Sequence, residues 1–181
     1  MDNKDLRIVG VGLRMVFAGQ LMALLSLIPP LAVAGIVGLA AVLGGLSSAS
    51  KGEDGYKPAV TLSVLNWLVI FLWAAFFSGN YVADILFGTI STLLGILTVY
   101  YVCTVTAGLF TNRNESLAKG GEVWKPYAGG CLLVQVCYIL ANLPILGGAA
   151  QYLMIGSVVV QVAVTLLYLV FLHQSYRYFM A

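Results

Sequence analysis

The sequence predicts an all-α integral membrane protein: six transmembrane helices paired as three helical hairpins, with both termini in the cytoplasm. Composition is the first reason. Hydrophobic residues make up 61% of the 181 and charged residues only 9%, against about 25% charged in an ordinary soluble domain. Mean hydropathy is the second. At +0.97, a water-soluble fold would have to expose most of its apolar surface, so lipid is the expected solvent. The third is the placement of the basic residues, taken up below.

A helix needs about 20 mostly apolar residues to cross the hydrocarbon core. Six stretches meet that need: Ile8–Ile28, Leu31–Ser50, Ala59–Phe77, Val82–Phe110, Tyr127–Leu143 and Gln151–His173. The first follows a short charged segment, Met1 to Arg7. It is longer than the ~7–15 residues of a signal peptide's apolar region, and Arg14 interrupts it, so it is expected to stay as a span. The fourth is long enough to tilt. The fifth is short.

The breaks are of two kinds. Pro29-Pro30, Ser78-Gly79-Asn80-Tyr81 and the run from Pro144 to Ala150 are tight and almost uncharged. The linkers Lys51 to Pro58 and Thr111 to Pro126 are longer and charged. A single domain over 1–181 follows, with hairpins at about 8–50, 59–110 and 127–173.

All nine Lys and Arg, namely Lys4, Arg7, Arg14, Lys51, Lys57, Arg113, Lys119, Lys125 and Arg177, fall on the terminal and linker side, and none in a hairpin turn. The positive-inside rule then places both termini and both linkers in the cytoplasm. The expected location is a cell (plasma) membrane, of a bacterium.

The hairpins read as distant repeats. Tyr56-Lys57-Pro58 opens the second and Trp124-Lys125-Pro126 the third. An aromatic and a Lys suit the interface, and Pro suits the first helical turn. Gln20 lies nine residues before Pro29, as Gln135 does before Pro144.

The second span is thin, with Ala32, Ala34, Gly35, Gly38, Ala40, Ala41, Gly44 and Gly45 close together. Small residues let helix backbones approach in lipid, so this span is expected to be central, or a seam to another copy or membrane partner.

Spans four to six each carry a polar stripe at helical spacing. The stripes are Asp84, Gly88, Ser91, Gly95, Thr98; Cys131, Gln135, Tyr138, Asn142; and Ser157, Gln161, Thr165, Tyr168. Polar faces avoid lipid, so the three are expected to face one another or a shared cavity. Ser91, Gln135 and Gln161 lie about nine or ten residues from the outer helix ends, roughly 15 Å deep and near the midplane. Gln20 sits at a similar depth and Asn66 somewhat deeper. This layer reads either as interhelical glue or as a solute site. Neutral amides and hydroxyls suit a neutral or zwitterionic solute better than a bare ion.

Asp84 is the one acidic residue on the outer side. In the first turn of its helix it complements the helix dipole. With Asn80, Asn142 and Gln151 at the same level, it would instead form a mouth attracting cations or amines. Arg14 is expected to snorkel to the interface. His173 and Arg177, at the end of the sixth span, suit the helix C-terminus and anionic headgroups.

An enzyme is not expected. The chain has no Ser-His-Asp set, HExxH, paired carboxylates or phosphate loop. Its single His and three scattered Cys, Cys103, Cys131 and Cys137, offer no metal or cofactor site,. A net charge of +2 gives no case for nucleic acid. In size and in its six-helix, both-ends-in layout the chain is similar to the substrate-binding subunits of energy-coupling-factor vitamin transporters. Those subunits have a longer first outer loop, which Pro29-Pro30 does not supply.

The functional expectation is a small polytopic protein that binds or passes a small neutral or cationic solute through a polar cavity among spans four to six. Its substrate-binding candidates are Asp84, Ser91, Gln135, Asn142 and Gln161, with Gln135 and Gln161 facing one cavity. The alternative is a non-transporting accessory, immunity or assembly protein acting through helix–helix contacts. The second span and the cytoplasmic segment Asn112–Gly121 would then supply the contact face.

Overall fold

A computed structural model describes residues 3–26, 33–142 and 149–181. Every longer element in it is helical: α1 Asn3–Leu25, α2 Val33–Gly52, α3 Lys57–Leu72, α4 Tyr81–Phe110, α5 Glu115–Gly120, α6 Trp124–Ala141 and α7 Ala149–Met180. Six helical stretches are long and apolar enough to cross a membrane, with mean hydropathies between 1.2 and 2.4. A helix satisfies its backbone polar groups internally, which lipid demands of any spanning segment. Large apolar side chains face outward, including Val33, Phe76 and Tyr152, each more than 70% exposed. In lipid that exposure carries no penalty; in water it would mark a liability.

The turns expected at Pro29-Pro30 and from Pro144 onward lie outside the described residues. The spans otherwise match the expected ones, with two differences. The Thr111–Pro126 linker contains the short helix α5, capped by the Asn114 side chain, which accepts from the Leu117 N–H at 3.2 Å. And α7 continues to Met180. His173 is therefore not at a helix end but about two turns before it. It packs on Phe17 (ring centroids 5.6 Å) and shares a 2.9 Å hydrogen bond with Tyr176.

The two aromatic-Lys-Pro openings have the same local structure. Each follows a 3-10 turn, Asp54–Tyr56 and Gly121–Val123. Each Lys pairs with the acid three residues before it, Lys57 with Asp54 at 2.8 Å and Lys125 with Glu122 at 2.9 Å. Both aromatics dock on α4. Tyr56 is fully buried, its hydroxyl 2.8 Å from Thr106 Oγ1, and Trp124 meets Tyr100 edge-on at 4.9 Å.

The closest helix contact joins α1 to α2. A Cβ at Gly12 would stand 2.6 Å from the Gly45 carbonyl oxygen, and one at Gly19 would stand 2.5 Å from that of Gly38. A Cβ at Gly52 would stand 2.6 Å from the Asp5 carbonyl oxygen. Positions 5, 12 and 19 thus oppose 52, 45 and 38, an antiparallel register stepping by seven. A seven-residue step keeps one face of each helix on its partner at a shallow crossing angle. The thin face of α2 is accordingly spent on α1. The outer side of α2, at Ile36 and Val37, is exposed.

Beyond this seam, α1 packs on α7, α7 on α6, α6 on α4, α4 on α3 and α3 on α2. The main buried cluster draws on Leu6, Val9 and Leu13 of α1 and Leu46 and Ala49 of α2. It adds Tyr56 before α3, Val102, Cys103 and Phe110 of α4, and Phe171, Leu172 and Phe179 of α7. These helix ends meet in a dense core. Toward the other ends burial thins out, and residues 74 to 82 are all exposed.

Gly12→Val or Gly45→Val is expected to lower thermal stability in detergent by about 1–3 kcal/mol or more, since backbone must move to admit the side chain. Gly95→Ala and Gly108→Ala, whose new Cβ atoms would meet nothing within 4 Å, should be neutral or stabilising by up to about 1 kcal/mol. Melting followed by helical circular dichroism checks both pairs.

Candidate functional site

The site begins with the turn between α3 and α4. Directly after α3, Trp73–Phe77 form a π-helical turn, a feature frequent at functional sites. Gly79 follows at φ +89°, a left-handed conformation that favours glycine. Asn80 then caps α4, its side chain accepting from the Val82 and Ala83 N–H groups at 3.1 and 3.2 Å.

With Asn80 as the cap, Asp84 is left for another partner. The Trp73 indole Nε1 donates to Asp84 Oδ1 at 2.6 Å. Among the described residues no Lys or Arg pairs with this half-buried carboxylate: the ion pairs are Lys57–Asp54, Lys119–Glu115 and Lys125–Glu122. One layer deeper, Ser91 Oγ donates to Asn66 Oδ1 at 2.7 Å. Trp73 with Asp84 and Asn66 with Ser91 are both centred on the same point, between Ser78 and Gly79. The tight turn brings each pair together.

From the other side α6 contributes Gln135. Its Nε2 donates to Thr89 Oγ1 at 2.9 Å, and its Oε1 accepts from Thr92 Oγ1 at 3.5 Å. Between α3, α4 and α6 lies an open groove of about 410 Å³, lined by Trp73, Asp84, Phe87, Ser91, Gln135 and Tyr138 among others. Gly88 forms part of its wall, and a Cβ there would approach only the Gln135 amide, at 3.8 Å. The groove is largely apolar and aromatic, and Phe77 stacks on Phe87 at 5.2 Å.

Three of the five residues expected at a site, Asp84, Ser91 and Gln135, thus line one groove. Asn142 does not. It is exposed, and its Nδ2 donates to the Tyr138 carbonyl at 2.8 Å. Asn80 and Gln151 are exposed as well, and neither lines the groove with Asp84.

Gln161 lies on the opposite side of α6. It lines a smaller cavity of about 240 Å³ between α1, α6 and α7, with Gln20, Tyr127 and Thr165. Its Nε2 reaches Cys131 Sγ at 3.2 Å and Thr165 Oγ1 at 3.4 Å, while its Oε1 is buried without a partner. Val134 lines both spaces and separates them. The single cavity expected to join Gln135 and Gln161 is therefore two. The physical reason is that α6 packs against α4 on one side and α7 on the other, so the stripe of α7 does not converge with that of α4.

Trp73 is the groove residue that the polar stripes did not point to. Its position before the tight turn, mirroring Asp84 after it, is the signal that identifies it. No three His, Cys, Asp or Glu come together among the described residues. Cys103, Cys131 and Cys137 are free thiols. The chain matches no protein-family model, no curated protein and no solved structure.

The two glutamines should respond oppositely to replacement. Gln135→Met removes two interhelical bonds and should lower thermal stability, by about 0.6 kcal/mol per bond on average. Gln161→Met removes two weak Nε2 contacts, to Cys131 and Thr165, together with an unpartnered buried acceptor, whose relief should leave the variant neutral or stabilised,. Melting temperatures of the two variants in one detergent decide it.

Proposed function

We propose that the chain is a multi-pass protein of a cell membrane whose α3–α4–α6 groove binds a small cationic solute, an amine or quaternary ammonium. The observation that carries this reading is Asp84, a half-buried carboxylate with no basic partner among the described residues, set among the Trp73, Phe87 and Tyr138 rings. Aromatic faces attract cations, more so when desolvated. Ionisable groups at membrane depth commonly mark solute paths. The neutral polar groups of the groove, Ser91 and Gln135, already hydrogen-bond across helices. That favours a cation over a neutral solute.

The same interhelical bonds favour a second reading, in which the polar layer is glue and the protein is a non-transporting accessory or assembly factor. The exposed side of α2 would then serve a partner.

In either case the proposed topology is three hairpins turning on the outer face, with both termini and both linkers cytoplasmic. The linkers and termini carry the basic residues, and residues 78–80 carry none, which the positive-inside rule reads directly.

Two measurements test this. In a background without native cysteines, Ser78→Cys should react with a membrane-impermeant thiol reagent in intact cells, and Ser116→Cys should react only after lysis. Labelling of both in intact cells would reject the topology. For the solute, a thermal-shift titration with tetramethylammonium and longer alkylammonium ions should show stabilisation of the native protein, weakened at least about tenfold in Asp84→Asn, the order of one lost charge contact. Equal responses of the two proteins across salt and pH would reject a role for the carboxylate.

A further inference from the structure

At the linker end of the α1–α2 seam lies a second open cleft, of about 820 Å³, lined by Lys4, Arg7, Ile8, Val11, Ser48 and Lys51 along with Asn3. Lys4, Arg7 and Lys51 are exposed, and among the described residues none of them forms an ion pair. Among the described residues that line the cleft, none is acidic. Three cations lining one cleft whose described walls carry no acidic side chain attract an anion,.

The cleft also has a direction. Lys4, Ile8, Val11 and Met15 follow one another along one face of α1 at steps of three and four, and Lys51, Ser48 and Gly44 do so in reverse along α2. The charged end is the linker end. Toward the membrane interior the walls become apolar on α1 and small on α2. At Gly44 a Cβ would meet only the Met15 Cε, at 3.4 Å. The groove is thus cationic at its head and narrow and apolar along its length, the polarity of a phospholipid.

We propose that this cleft is a binding site for an anionic phospholipid, with its phosphate among Lys4, Arg7 and Lys51 and an acyl chain lying along Val11 and Met15 past Ser48 and Gly44. The site is separate from the Asp84 groove and of opposite charge, so neither assignment depends on the other. A lipid here would brace the α1–α2 seam at the end where the dense core begins.

The test uses the full-length protein in a neutral detergent, titrated with phosphatidylglycerol, phosphatidylcholine or inorganic phosphate. Bound lipid is counted by native mass spectrometry and stability is read from the melting temperature. Phosphatidylglycerol is expected to bind at least about tenfold more tightly than phosphatidylcholine and to raise the melting temperature, with little effect of free phosphate. Arg7→Gln or Lys51→Gln should weaken phosphatidylglycerol about five-fold each. Lys119→Gln, whose lysine pairs with Glu115, should not weaken it. Val11→Trp, which fills the acyl track without changing charge, should weaken it too. Equal binding of the two lipids, equal loss with Lys119→Gln, or full binding by Val11→Trp would each overturn the proposal. Phosphate acting as strongly as phosphatidylglycerol would overturn it in favour of a free-anion site.

Discussion

Backbone meets backbone at three levels along α1 and α2, and most of the bundle is arranged around that contact. Lipid gives apolar side chains no reason to leave it, so helices associate through close packing instead of a hydrophobic drive. Glycines at 12 and 19 facing glycines at 45 and 38 give the largest gain available, because no side chain separates the two helices. The register then locks α1 and α2 into a single two-helix slab. One side of α1 is closed by α2, and another is left for α7, whose Leu172 and Phe179 join Leu6, Val9 and Leu13 in the buried cluster.

Packing of this kind is uneven along the membrane normal. The dense core lies where the linkers, both terminal helix ends and the aromatic residues Tyr56, Phe110, Tyr168 and Phe171 gather. Toward the α3–α4 turn the helices carry smaller or outward-facing residues, and two spaces open on either side of α6. The looseness is local, and the groove sits there because its walls are held by hydrogen bonds instead of side-chain interdigitation. Trp73 to Asp84, Asn66 to Ser91 and Gln135 to Thr89 tie α3, α4 and α6 together around an unfilled volume. Polar contacts of this strength position helices without forcing them into full contact.

Charge follows the same axis. Among the described residues the carboxylate at the open end pairs with no Lys or Arg, and Lys4, Arg7 and Lys51 at the dense end line a cleft whose described walls carry no acidic side chain. The two proposed ligands follow this division, a cation for the aromatic groove and an anionic headgroup for the α1–α2 cleft.

Much of this was legible in the residues alone. Six apolar stretches, their approximate limits, the uncharged tight breaks and the one-sided basic residues are properties read along the chain. Lipid acts on each segment separately, so hydropathy alone identifies the helices. Asp84, Ser91 and Gln135 were recognisable as polar positions at helical spacing within apolar stretches for the same reason. What the sequence did not decide is which faces meet. The stripe containing Gln161 is as regular as the one containing Ser91, yet α6 stands between them and divides the expected cavity. The small residues of α2 announced a close contact but not its partner; the matching glycines at 12 and 19 supply it once α1 lies alongside. Trp73 became a site residue only because a π turn aims its indole at Asp84. Neighbour choice depends on how all the helices pack at once, and that is the part tertiary structure alone settles.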